Sequence, residues 1–257
     1  LMINRPFTFE SIGLFGITNG ASIRNIGLLG GSVTGQYSVG GLVGYNDNNS
    51  TISNAYVTGT VIGSQNVGGL VGWNNNNSSI SNAYATGVVT GSNTIGGLVG
   101  SNAGSIINTY TSAAVTGGDQ AGGLVGINWS GTISDSYATG SVTGSNSVGG
   151  LVGNNGSSIS DSYATGAVTG FNFVGGLVGF NTDAVINNAY ATGSVTGNNS
   201  VGGLAGHNQL SSIINAYATG AVTGNTNVGG LVGVNYNSSI SNAYWNMETT
   251  GQTTSAG

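Results

Sequence analysis

Two aspartates, Asp135 and Asp161, stand 26 residues apart in the same phrase, Ser-Asp-Ser-Tyr-Ala-Thr-Gly. If that interval is one turn of a stacked fold, their carboxyls lie about 5 Å apart. That is the separation a retaining glycosidase uses for its nucleophile and its acid. No third acid and no basic group joins them, and the same position holds Asn54, Asn82, Asn108, Asn188, Asn215 and Asn242 elsewhere. The plainer reading is preferred: two Asp within a solvated Asn column, since two adjacent buried carboxylates would be costly. His207 is the one histidine. Its column elsewhere carries Tyr45, Trp73, Ser101, Ile127, Asn154, Phe180 and Val234, so it reads as a variable surface position. A histidine base or ligand needs polar partners. There is no cysteine for thiolate chemistry and no lysine for a phosphate-binding loop. No catalytic residue, no metal site and no cofactor is expected, and a polysaccharide-active enzyme is the least favoured function.

Two other patterns point to binding. Thr139, Thr143, Thr165, Thr169, Thr192, Thr196, Thr219 and Thr223 recur as Thr-x-Ser/Ala-x-Thr. They have opposite parity to an intervening valine and should face outward. Ranks of outward threonine resemble ice-binding surfaces, although threonine suits any solvated strand face. Tyr45, Trp73, Trp129 and Tyr236 occur singly, at or beside a corner of variable length, and form a candidate surface for glycans or proteins. A separate tyrosine column (Tyr56, Tyr84, Tyr110, Tyr137, Tyr163, Tyr190, Tyr217) has two readings. It is a packed core stack, the commoner role of tyrosine at fixed spacing, or an exposed sugar-binding stripe.

The elements that position these residues follow from the repeat. Leu42, Leu70, Leu98, Leu124, Leu151, Leu177, Leu204 and Leu231 each sit in Gly-Gly-Leu-Val/Ala-Gly, at a mean spacing of 27 residues. A weaker copy lies at Gly13-Leu14-Phe15-Gly16. A fixed period of this size marks a solenoid or similar array. Glycine density excludes stable helices; the short β-type segments are spaced too closely for propeller blades. From each column tyrosine to the next leucine is always 14 residues, and from each leucine to the following asparagine always 4. From the isoleucine of the next strand to its tyrosine is again 4. All length variation therefore falls between that asparagine and that isoleucine, at one corner, as in-register strands demand.

The fold expected is all-β: a parallel β-helix, or β-solenoid, of about nine coils of ~27 residues. The length and irregular cross-section of the coils predict a right-handed helix. At about 4.8 Å per coil the rod is about 43 Å long. The leucine column and the valine column (Val33, Val61, Val89, Val115, Val142, Val168, Val195, Val222) are the core candidates. Stacked asparagines can bond along the axis, and the glycines serve tight turns and φ > 0 positions. The organisation read is an N-terminal capping coil at residues 1–35, the repeat array at 36–244 and an exit segment at 245–257. The first unit has Gly27 in place of tyrosine and one extra residue before Val33.

Composition bounds the partners. Charged residues are 4% of the chain, and Arg5 and Arg24 are its only Lys or Arg. Nucleic acid and anionic membranes attract basic patches, so neither is an expected partner. No apolar run approaches the ~20 residues of a membrane span, so no membrane insertion is expected. The opening Leu1-Met2-Ile3-Asn4-Arg5-Pro6 lacks the apolar core of a signal peptide, and the chain reads as a mature portion of something longer.

Gly-Leu-Val-Gly at the head of each unit resembles the pattern of GLUG-motif repeats. The openings Gly13-Leu14-Phe15-Gly16 and Ile23-Arg24-Asn25-Ile26-Gly27-Leu28, and the ending from Trp245 to Gly257, are similar to the segments that flank such arrays. The resemblance implies a large bacterial cell-surface or extracellular protein, adhesin- or haemagglutinin-like, with no catalytic residue in the motif. The function expected is a rigid solenoid stalk of an adhesin or fibre. The alternative is an ice- or carbohydrate-binding solenoid. Expected partners are identical subunits joined end to end in a filament, or other domains of a longer adhesin, and host or surface glycans.

Overall fold

The computed structural model describes residues 1–6, 10–75 and 77–256. Among them the chain winds through three parallel sheets, two of nine strands and one of eighteen, so nine coils are stacked. One coil shows the path. Tyr37–Gly40 lies in the second sheet, Gly41 and Leu42 turn the chain, Val43–Asp47 lies in the third sheet, and Thr51–Ile62 crosses the long first sheet. Equivalent residues pair from coil to coil, as in Val43 with Val71, Tyr84 with Tyr110 and Val142 with Val168, with register shifts in the first coil at Ser11/Ile12 and Leu29/Ser32. Among the described residues the only helix is one turn, Met247–Thr250, and no helix there is long and apolar enough to cross a membrane.

The leucine and valine columns are buried, but in two separate clusters. The leucines pack with Ile52, Ile80 and their equivalents between the third sheet and the first half of the long sheet. The valines pack with Val39, Val67, Ile95 and their equivalents between the second sheet and the rest of the long sheet. Each buried side chain of this size contributes roughly 1.5–3 kcal/mol. Glycines divide the clusters. A Cβ on Gly72 would strike the backbone of Ser38 and Val39, and one on Gly69 would strike the carbonyl of Gly97. Their role is close approach of backbone to backbone; both have φ in the ordinary negative range, contrary to the φ > 0 role expected of them.

Among the described residues most positive-φ positions belong instead to polar side chains, with Phe173, Leu210 and five glycines as the exceptions. Asn25, Asn54, Asn82, Asn108, Asp135, Asp161, Asn188, Asn215 and Asn242 all have φ of 48–55°. Asn and Asp tolerate this left-handed conformation better than other side chains bearing a Cβ. The bend has a consequence for facing. Ile52 and Tyr56 share parity, so simple alternation would put both inside. The left-handed residue at Asn54 acts as a bulge: Ile52, Ala55 and Val57 are buried, and Tyr56 turns outward. The core stack expected of the tyrosine column is corrected on this ground.

The asparagine column is a buried ladder. Each Nδ2 from Asn46 to Asn208 donates to Oδ1 of the asparagine one coil on, at 2.8–2.9 Å. The first coil carries Thr18 at this position, and its hydroxyl donates to Asn46 Oδ1 at 2.7 Å. Several ladder amides also donate to a carbonyl of the variable corner: Asn74 to Ser78, Asn102 to Gly104, Asn155 to Ser157. One side chain thus anchors turns of different length, which is why the corner absorbs them.

Candidate functional site

The tyrosine column forms one continuous ring stack on the outer face. From Tyr56 to Tyr217 the six successive ring pairs have centroids 4.7–5.1 Å apart and interplanar angles of 2–12°. The stack ends against Gly27 of the first coil, where any Cβ would collide with the Tyr56 ring. Its members are half-buried, except Tyr217, which is exposed. Burial, with the neighbouring phenols adding to it, raises the pKa of Tyr110 and Tyr190 above the ordinary tyrosine value. Within the stack the ring faces are spent on one another and not left for stacking on a sugar; Tyr217, at its end, has a ring partner on one side.

The threonine ranks lie on the next part of the long sheet. Thr139, Thr143, Thr165, Thr169, Thr192, Thr196 and Thr223 are exposed and Thr219 is half-buried. Thr143, Thr169, Thr196 and Thr223 are in direct register across four coils. Ser141, Ala167, Ser194 and Ala221 between the ranks are exposed too.

The four single aromatics do not converge. Trp129 is 62% exposed and Tyr236 56% exposed; each sits just after a ladder asparagine, four coils apart. Tyr45 and Trp73 are half-buried and meet edge to face at 5.2 Å. Asn75 Nδ2 donates to the Tyr45 hydroxyl at 2.7 Å, and Trp73 Nε1 is buried without a partner. The column they share is not uniformly surface, as its variability had implied, since Ser101 and Ile127 are buried there. Further along the same column His207 stacks on Phe180 at 4.9 Å and meets Phe173 edge-on at 5.4 Å. Both of its ring nitrogens are buried without a hydrogen-bond partner, and burial lowers its pKa. A neutral imidazole in an apolar wedge is a packing residue. Phe173 has φ of 51°, and nothing in its spacing announces this cluster.

Asp135 and Asp161 are exposed, on the left-handed bend of adjacent coils. Asn188 Nδ2 donates to Asp161 Oδ1. Their backbone conformation accounts for an Asn/Asp column without catalysis. No group of three His, Cys, Asp or Glu residues able to hold a metal ion occurs among the described residues.

The two ends differ. At the C-terminus Trp245 lies where a side chain on Gly230 would otherwise stand, and its Nε1 donates to the Gln252 carbonyl at 2.9 Å. Gln252 Nε2 donates to the Val222 carbonyl, Gly230 N to the Thr254 carbonyl, and Ala256 N to the Val232 carbonyl. The exit segment thus covers the Gly230–Val232 part of the last coil, while most of Ser239–Trp245 stays at the surface. At the other end Ile17 and Leu29 are exposed, and a cleft of about 520 Å³ opens beside Phe15, Ile23 and Ile26.

The GLUG motif matches the chain at residues 35–62, 63–90, 117–143, 144–169, 174–196, 197–223 and 224–248. The coil between the second and third matches keeps the same register, Val99 with Val125 and Tyr110 with Tyr137. Neither a curated protein nor a solved structure matches the chain. With the motif covering most of its length and each copy forming one coil of the solenoid, the chain belongs to the family of GLUG-motif repeat proteins.

Proposed function

We propose that this repeat structural protein serves as a rigid stalk segment of a bacterial extracellular adhesin or fibre. The observation that carries the reading is the in-register stacking of nine coils, with register shifts confined among the described residues to the first coil at Ser11/Ile12 and Leu29/Ser32, reinforced by the ladder from Thr18 to Asn235. Such a stack resists bending because each coil is bonded to the next by backbone and ladder side chains, with ring contacts added from Tyr56 to Tyr217. The absence of lysine and the presence of only two arginines, one preceding Pro6, leave trypsin-like proteases few cleavage points. That suits exposure outside the cell. The partly covered C-terminal coil favours attachment to other domains of a longer adhesin over a head-to-tail filament of identical subunits, which would need both ends open.

A second reading, a solenoid that binds ice, rests on one observation: the exposed threonines aligned across adjacent coils. Three measurements on the isolated chain separate the readings. Small-angle scattering is expected to give a concentration-independent rod about 43 Å long, with no glycan retained on an array and no thermal hysteresis. Selective glycan binding lost in Trp129→Ala or Tyr236→Ala would replace the stalk with a carbohydrate-binding module. Hysteresis abolished by Thr→Tyr changes at Thr143, Thr169 and Thr196 would replace it with ice binding.

A further inference from the structure

We propose that the tyrosine ladder is an oxidative modification site, at which a haem peroxidase and hydrogen peroxide join neighbouring coils through dityrosine bonds. The geometry carries this. Tyr56, Tyr84, Tyr110, Tyr137, Tyr163, Tyr190 and Tyr217 stack without interruption, each ring nearly parallel to the next at 4.7–5.1 Å. In-register backbone pairing sets each ring over the same ring of its neighbour, as for Tyr137 and Tyr163. Near-parallel rings in register put the carbon ortho to one hydroxyl about one centroid spacing from the ortho carbon of the next, so the two rings tilt together to close a bond. The rings stand at the surface, half-buried or exposed, so an oxidant reaches them and their phenolic protons pass to water.

The step balances. The peroxidase removes one electron from each of two phenols, and each phenol releases its proton, giving two neutral phenoxyl radicals. Their unpaired electrons have density on the ortho carbons. A carbon–carbon bond forms between the two ortho carbons, and each ring then moves its ortho hydrogen to oxygen and regains aromaticity. Two hydrogen atoms are lost overall, and one hydrogen peroxide is reduced to two waters. A radical formed on one rung exchanges with the equivalent phenol beside it, so two radicals on one ladder meet within the chain. No thiol competes for the oxidising equivalents, because the chain has no cysteine. The same lack denies it disulfides, the usual covalent staple of extracellular proteins, and coupling across coils would supply one.

The test treats the dilute full chain with peroxidase and hydrogen peroxide. Expected are dityrosine fluorescence, a product that stays monomeric on a denaturing gel, a mass lower by two hydrogens per bond, and cross-linked peptides pairing residues such as Tyr137 and Tyr163. A variant with Tyr84→Phe, Tyr137→Phe, Tyr190→Phe and Tyr244→Phe, the last being the residue in register with Tyr217 on the final coil, keeps the stack of rings but leaves no two adjacent phenols in the column. Its fluorescence within the monomer should fall most of the way to background, because each stacked pair then holds only one phenol. A second variant, Tyr37→Phe with Tyr45→Phe and Tyr236→Phe, leaves the ladder whole and should couple as the parent does. Undiminished coupling in the folded first variant, lost coupling in the second, or products only between chains would each overturn the proposal.

Discussion

Asn102 donates from Nδ2 to Oδ1 of Asn128 at 2.9 Å, across 26 residues of sequence, and both side chains are wholly buried. The bond repeats on either side, so each interior asparagine is donor to one neighbour and acceptor from the other. Replacing Asn128 by Ala leaves the acceptor of Asn155 and one donor of Asn102 unpaired. Each unpaired group costs about 1–3 kcal/mol.

Asn128→Asp makes the same point through pH. One carboxylate oxygen still accepts from Asn102, but the other faces the Asn155 oxygen, which also accepts. Folding then favours the protonated acid, raising its pKa above the usual ~3.9. A raised acid pKa costs stability once pH exceeds the unfolded value, and the cost grows up to the folded value. The deficit against the parent should shrink between about pH 7 and about pH 4, as read by urea unfolding. A deficit independent of pH would contradict the ladder.

Val142 is buried in the valine cluster and Ser141 beside it is exposed. Val142→Asp should destabilise by about 3 kcal/mol or more, since it buries an unpaired charge. Ser141→Asp should stay within about 0.5 kcal/mol. Equal melting losses would reverse the facing of this strand.

The cap predicts a local effect. Trp245→Ala removes the indole over Gly230 and the bond to Gln252, at about 3 kcal/mol for a large aromatic. Stability in an array is set by nearest neighbours. Amide protection should fall in Val232–Tyr236 and Ser239–Trp245 and hold in Val125–Asn128. Uniform loss would mean that the end is not a separate cap.

His207 should make stability pH-dependent. Burial lowers its pKa below the usual value, so the fold favours the neutral ring. Its contribution is present above the unfolded pKa of ~6.5 and is lost as pH falls from there through the folded value. The melting temperature should drop on acidification from about pH 7 to about pH 5, and the drop should be smaller in His207→Phe, a residue the neighbouring Phe180 shows to fit.

Asp135 tests the acidic pair. Asp135→Asn should leave stability within about 0.5 kcal/mol of the parent at neutral pH or raise it, by relieving like-charge repulsion, and no polysaccharide should be cleaved by either protein. Asp135→Val should cost about 1–3 kcal/mol, because a β-branched residue resists φ near 51°. Glycan cleavage that vanished in the Asn variant would make the pair catalytic.

The sequence by itself determined the solenoid. Constant steps between tyrosine, leucine and asparagine can be kept only if equivalent residues stack, so period, register, column membership and the corner that takes insertions were all legible. The buried leucines and valines followed from the same columns. Facing was legible only where the strand stays regular. Thr143 and Val142 obey simple alternation, whereas Tyr56 does not, because Asn54 adds one left-handed residue between it and Ile52. That half-turn is a backbone torsion, written in the sequence only as an Asn/Asp preference, and it converts a column that counting places inside into a ring stack on the surface. The division of the core into two clusters and the folding of Gln252–Ala256 back over the last coil were likewise decided by tertiary structure. Both depend on which backbones approach across the coil, and spacing along the chain does not encode distance across it.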